Sequence, residues 1–270
     1  MPDVVGRYRH IIVQRWPNWW VNWPLTRVVA VGDIFVATSA RLVRAGDMTA
    51  ELSIRAGASI PSFEHDSNGS VDITFAPAAG VADARMQAEI RFRRGDAMLV
   101  AYDGVTQIDV ADATEVATTL LRRWWVDDWD LDKVVVTSVV TASGGILLSG
   151  ASESGGSVRL NARAGVGSGP FTVVDLAMNF DLDRSTARND SWTVEACTPM
   201  FQVTRLKRTF LRRVVEDFGM SQGGRGAFPK DVPPALISYV GEHPAHVIEV
   251  LPPGEAPPES VYDAADVQSV

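Results

Sequence analysis

Apolar and polar positions alternate with a period of two along most of the chain. Met86, Ala88, Ile90 and Phe92 face one way, while Arg85, Gln87, Glu89, Arg91 and Arg93 face the other. Val158, Leu160, Ala162 and Ala164 alternate with Arg159, Asn161 and Arg163. Val174, Leu176, Met178, Phe180 and Leu182 alternate with Asp175, Asn179, Asp181 and Asp183. Each run predicts a strand with one apolar and one wet face. Shorter runs of the same kind occur at Leu52-Ile54-Ala56, Val71-Ile73-Phe75 and Trp192-Val194-Ala196. Val134-Val135-Val136-Thr137-Ser138-Val139-Val140 is strand-forming without alternation, and Gly165 to Pro170 is a glycine-rich loop.

Two segments switch to helical spacing. Asp112-Ala113-Thr114-Glu115 has capping-box spacing, with Asp112 as N-cap, and opens a helix running towards Trp124. Over 204–218, Leu206, Phe210, Val214 and Phe218 recur every four residues beside a row of cations. From Gly219 glycine and then proline dominate, predicting a linker and an extended tail with one short strand at His246–Leu251. The expected fold is α+β: a mostly antiparallel twisted sheet, a few flanking helices and an extended Pro-rich C-terminal tail.

Composition narrows the function more by exclusion than by suggestion. Apolar runs fall well short of the roughly 18–20 residues of a spanning helix. The first residues lack a basic-then-apolar leader, so the expected compartment is the cytoplasm. One cysteine, Cys197, excludes an intrachain disulfide or multi-cysteine metal site and reads as a small buried hydrophobe. His10, His65, His243 and His246 are scattered, and no HExxH, GxSxG, Walker or GxGxxG pattern occurs. The acidic cluster Asp127–Asp132 lacks the Gly and Glu of a calcium loop and reads as a solvated turn. No cofactor, metal or enzymatic activity is expected, and an acidic chain is a poor nucleic-acid partner.

Charge is uneven. Residues 216–270 carry nine acids against two bases, so most of the net charge of −8 lies there. Just upstream, Arg205, Lys207, Arg208, Arg212 and Arg213 form a dense basic stretch that an acidic tail could neutralise. Tryptophans are also clustered: Trp16, Trp19, Trp20 and Trp23 in one group, Trp124, Trp125 and Trp129 in another. Such rings suit a membrane interface, or they pack on one another as a core plug.

The order of these elements resembles the pore-forming domain of gasdermins, including the short bacterial members. Three stretches carry the resemblance. They are the valine-rich strand 134–140, the late strand pair within Trp192–Val203, and an early hairpin from Val31-Gly32-Asp33-Ile34 to Leu42-Val43-Arg44-Ala45-Gly46. The resemblance covers about residues 28–211. It divides the chain into a Trp-rich segment (1–27), a pore-forming-like domain (28–218) and a candidate autoinhibitory tail (219–270).

The resemblance implies a latent protein that a protease releases by removing its tail. The freed domain then contacts membrane lipid and assembles with copies of itself into a large β-barrel at the inner membrane, killing the cell in defence. The implied cut sites are Arg213 and Arg225. The membrane contacts expected once the tail is gone are Arg205, Lys207, Arg208, Arg212 and Arg213; Trp16, Trp19, Trp20 and Trp23 join them as candidates on indole chemistry alone, since the Trp-rich segment has no counterpart in the resemblance. The implied membrane-inserting positions are Met86, Ala88, Ile90, Phe92, Val158, Leu160, Ala162, Leu176, Met178 and Phe180. A barrel suits such strands because its closure pairs every backbone edge. The rival reading is a non-enzymatic β-rich binding or scaffold protein whose tail recognises a partner.

Overall fold

The computed structural model describes residues 4–37, 42–66, 70–77, 86–94, 97–149, 156–162, 180–183, 191–194, 196–218, 229–253 and 262–263. The architecture is α+β, and its sheets are mostly antiparallel. An eleven-stranded sheet is organised around β7 (Met98–Val110), flanked by β4 (Ile54–Asp66) on one edge. On the other edge run β8 (Lys133–Ala142) and β9 (Gly144–Ser149), which keep a single register against β7.

β8 and β9 are therefore one long strand bent at Ser143. The bend is fixed by the Ser143 N–H and hydroxyl, which donate to the Asp103 carbonyl at 2.8 and 3.0 Å. Opposite lies Gly104 at φ +55, where a Cβ would come within 2.4 Å of the Ser143 hydroxyl oxygen. Only glycine fits both the left-handed backbone and the close approach.

β12 (Ser191–Val194) pairs with β9, and β13 (Cys197–Leu206) pairs with β8. The two strands expected to pair with each other instead run in succession along the bent strand. β2 (Asp33–Ala37) and β3 (Leu42–Asp47) form the expected early hairpin. β1 (Trp20–Val21) and β14 (Ile248–Leu251) both pair with β13, and β15 (Tyr262–Asp263) lies parallel to β3.

The valine run lacks alternation because both of its faces are covered. Val134, Val136 and Val139 pack with Phe35 and Phe201 on one face, whose rings stack at 5.9 Å. Val135 turns to the other face, into a core with Leu120, Trp124 and Leu206. A strand dry on both sides reads as a continuous apolar run.

Helices supply those covers. α1 (Val4–Arg15) lays Tyr8, Ile11 and Ile12 on Met98, Val100, Tyr102 and Leu147. Its anchor is polar: the Tyr8 and Tyr102 hydroxyls lie 2.6 Å apart, and Tyr8 also donates to the Pro199 carbonyl. α2 (Ala113–Trp125) begins as expected, the Asp112 carboxylate accepting the Thr114 N–H at 2.7 Å. Glu115 does not complete a box; its carboxylate accepts from the Ser53 N–H and hydroxyl, tying the helix to the turn before β4.

The second expected helix is shorter than its apolar stripe. α3 runs Arg208–Phe218, while Thr204, Arg205 and Leu206 belong to β13. Beyond it, Pro229–Pro253 is folded rather than extended. α4 (Pro234–Glu242) and α5 (Pro244–Val247) precede β14, and Leu236, Val240 and Val247 are buried against α2 and α3. Pro233, Pro234 and Pro244, which suggest an extended chain, sit at helix N-termini, where the missing N–H would be unpaired anyway.

A second sheet has four strands in the order β11-β10-β6-β5, namely Phe180–Asp183, Gly156–Ala162, Met86–Phe92 and Val71–Pro77. All its neighbours are antiparallel, and β6 pairs with β10 from Gln87↔Asn161 to Phe92↔Gly156.

Candidate functional site: an amphipathic sheet and a docked C-terminal segment

The small sheet brings together the two distant amphipathic regions of the sequence. Ala88, Ile90, Phe92 and Val158 are buried on one face. Met86, Leu160, Ala162 and Phe180 lie in the same strands, with Leu160 opposite Ala88 and Ala162 opposite Phe180. Leu176 and Met178 lie outside the described residues. The other face carries opposed charges. Arg93 grips both Asp72 oxygens at 2.8 and 2.6 Å, Arg91 binds Glu89 at 2.9 Å, and Arg159 approaches Glu89 at 3.8 Å. The Arg93 hydrogen bond holds the Asp72 carboxyl below its ordinary range, and the Arg91 hydrogen bond does the same for Glu89. Arg91, Arg93 and Arg159 are thus matched by Glu89 and Asp72 within the same face.

The basic stretch is largely engaged, partly by the C-terminal segment. Arg205 pairs with Glu249 of β14 at 2.8 Å, and Lys207 Nζ donates to the Ala245 carbonyl at 2.6 Å. Arg208 reaches Asp132 at 3.3 Å, and Arg212 pairs with Glu216 one turn on at 3.0 Å. Arg213 is exposed in the middle of α3, so the peptide bond after it lies in a hydrogen-bonded helical turn. Arg225 lies outside the described residues.

Between α3 and α4 runs a half-open groove of about 600 Å³. Phe210, Val214, Phe218 and Leu236 form its apolar lining. Lys207, Arg213, Asp217, Tyr239 and His246 contribute its polar groups. The Tyr239 hydroxyl is hydrogen-bonded to His246 Nδ1 at 3.0 Å, and His243 stacks on His246 at 5.1 Å. No cluster of three or more metal-capable side chains occurs among the described residues.

The tryptophans take the packing alternative. Trp19 and Trp20 are buried, and Trp20 Nε1 donates to the Leu251 carbonyl at 2.8 Å. Trp16 and Trp23 are half-buried against the α1 core. Trp124, Trp125 and Trp129 are buried in the helical core, with Trp125 Nε1 donating to the Pro229 carbonyl at 2.8 Å. In this conformation Trp19 and Trp20 are therefore not presented to a membrane. Cys197 is buried in β13, and burial pushes its thiol up to about 12. Asp127–Asp132 is a turn held by contacts such as Arg123 to Asp128 and Lys133 to Asp130.

Sequence reasoning missed the groove, the Tyr8–Tyr102 pair and Glu249 as the partner of Arg205. Only the last left a readable signal, an acid centred in the apolar run Ile248–Leu251. No family model and no curated protein matches this chain. Among the described residues no helix is long and apolar enough to cross a membrane, which leaves strands unaddressed.

Proposed function

We infer that this chain is a latent pore-forming protein of gasdermin-like design, held inactive by residues 229–251 and released by proteolysis at Arg225. The carrying observation is the four-stranded sheet. Two regions far apart in sequence lie side by side there, β6 alternating between buried Ala88, Ile90 and Phe92 and charged Glu89 and Arg91, and β10 setting buried Val158 beside exposed Arg159. Strands with an apolar outward and a polar inward side are what a membrane barrel uses, and four per subunit is what the gasdermin resemblance implies. β5, β6 and β10 have seven residues each, short of the roughly 9–11 that span a bilayer. Insertion requires each hairpin to lengthen into its flanking residues.

The docked C-terminal segment supports latency. It contributes Leu236, Val240 and Val247 to the core, and it occupies Arg205 and Lys207. Its loss frees two cations near a surface, where each contributes about 1 kcal/mol of attraction to anionic lipid. A merely recruiting tail would not need to complete the core. The active state is a homo-oligomer at the inner membrane; the latent state is cytoplasmic.

The test is dye release from anionic and zwitterionic liposomes, using the full chain with a specific protease sequence placed across residues 222–227. The expected result is silence before cleavage and leakage from anionic vesicles after it. Cleaved protein that leaves both vesicle types intact overturns the reading.

A further inference from the structure

The groove between α3 and α4 has two walls from separate parts of the chain. Phe210, Val214 and Phe218 come from the helix that follows β13, and Leu236 and Tyr239 come from the C-terminal segment. Its volume, about 600 Å³, falls within the roughly 300–1,000 Å³ of small-molecule sites. Its polar groups are unevenly charged, two cations (Lys207 and Arg213) facing one acid, Asp217. Arg213 has no ion pair among the described residues, unlike Arg205, Arg208 and Arg212 of the same basic stretch. An apolar trough beside an uncommitted guanidinium favours a ligand with an anionic head and a hydrocarbon body.

We propose that this groove binds an anionic amphiphile, its carboxylate or phosphate held by Arg213 and Lys207 and its chain lying on Phe210, Val214, Phe218 and Leu236. The Arg213 guanidinium supplies a planar fork suited to two anionic oxygens. Because the ligand touches both walls, it binds only while the C-terminal segment is docked, and by linkage it holds that segment in place. The site stands on the groove's own chemistry and does not depend on pore formation.

Calorimetric titration of the full chain with four probes tests it: dodecanoate, dodecyl phosphate, dodecyltrimethylammonium and inorganic phosphate. Saturable one-to-one binding of an anionic dodecyl probe, below its micelle-forming concentration, is expected. The relative affinity of the two anionic probes distinguishes a fatty acid from a lipid phosphate as the source. Dodecyltrimethylammonium and inorganic phosphate should each bind at least tenfold more weakly, the first lacking the charge and the second the chain. Arg213→Gln, an exposed substitution, should weaken the anionic probe about tenfold. The bound probe should also raise the thermal midpoint of the parent more than that of Arg213→Gln. The proposal is overturned by absence of saturable binding, by equal binding of the cationic probe, by inorganic phosphate binding as tightly as dodecyl phosphate, or by unchanged affinity in Arg213→Gln.

Discussion

The two sheets of this molecule are built from the same kind of strand and kept in different surroundings. In the large sheet β8, β9 and β13 are dry on almost every side chain, with helices or loops over both faces. In the small sheet β6 alternates between Ala88, Ile90 and Phe92 inside and Glu89 and Arg91 outside, with Arg93 just beyond its end exposed as well. Burial on both faces ties a strand to everything around it. Burial on one face leaves the other side free to exchange one wet environment for another. On the proposed reading the large sheet is the frame, and the small sheet is the part that changes partners.

Core truncations give the largest expected effects. Phe201→Ala opens a cavity beside Phe35 and should cost about 3–5 kcal/mol in urea unfolding. Ile90→Ala in the small sheet should cost about 2–5 kcal/mol. If the small sheet is the separable part, Ile90→Ala shifts an early transition and leaves that of the frame in place. Coincident shifts would remove the distinction.

Gly104→Ala should destabilise by about 1–3 kcal/mol, because it forces a side chain into a left-handed backbone against Ser143. Ser143→Ala in the same chain should recover part of that loss, again read from urea midpoints. No recovery would mean that backbone conformation alone sets the cost.

Tyr8→Phe should cost about 1–2 kcal/mol by removing the hydroxyl from its buried pair. It also carries a pH signature. Burial raises the ionisation of both Tyr8 and Tyr102 far above the ordinary phenol value, so both stay protonated when folded. Their contribution is whole below about pH 10, where unfolded tyrosines begin to ionise, and it falls as pH climbs further. Urea midpoints between pH 8 and 11 should therefore decline less steeply in Tyr8→Phe.

Arg93→Gln should have the smallest effect, with no measurable change of midpoint at physiological salt, because its partner Asp72 is exposed. A clear loss there would show that the charged face holds the small sheet together.

Where one face is wet, the sequence announced its structure: the strands at 86–92 and 156–162, the Asp112 cap and the short strand at 248–251 all follow from local pattern. Where elements are dry on both sides or end on prolines, the pattern faded. The bent continuity of β8 and β9 rests on register against β7, which no local spacing encodes. Helix 234–242 was hidden because proline at a helix start looks like proline in a tail. The groove was invisible for a related reason, since Arg213 and Tyr239 come to line one groove only through tertiary packing.

One consequence concerns the outer edge of β13. Residues 20–22 and 248–251 together line that edge from Thr198 to Leu206, through strand pairs and the Asn22 amide bonds to Thr198 and Pro199. They act as a selvedge, a woven border that stops a fabric from unravelling. An uncovered ladder of N–H and C=O groups is a template for any passing strand, the first step of aggregation. Pulling either border loose would therefore turn a well-buried strand of the frame into a sticky one.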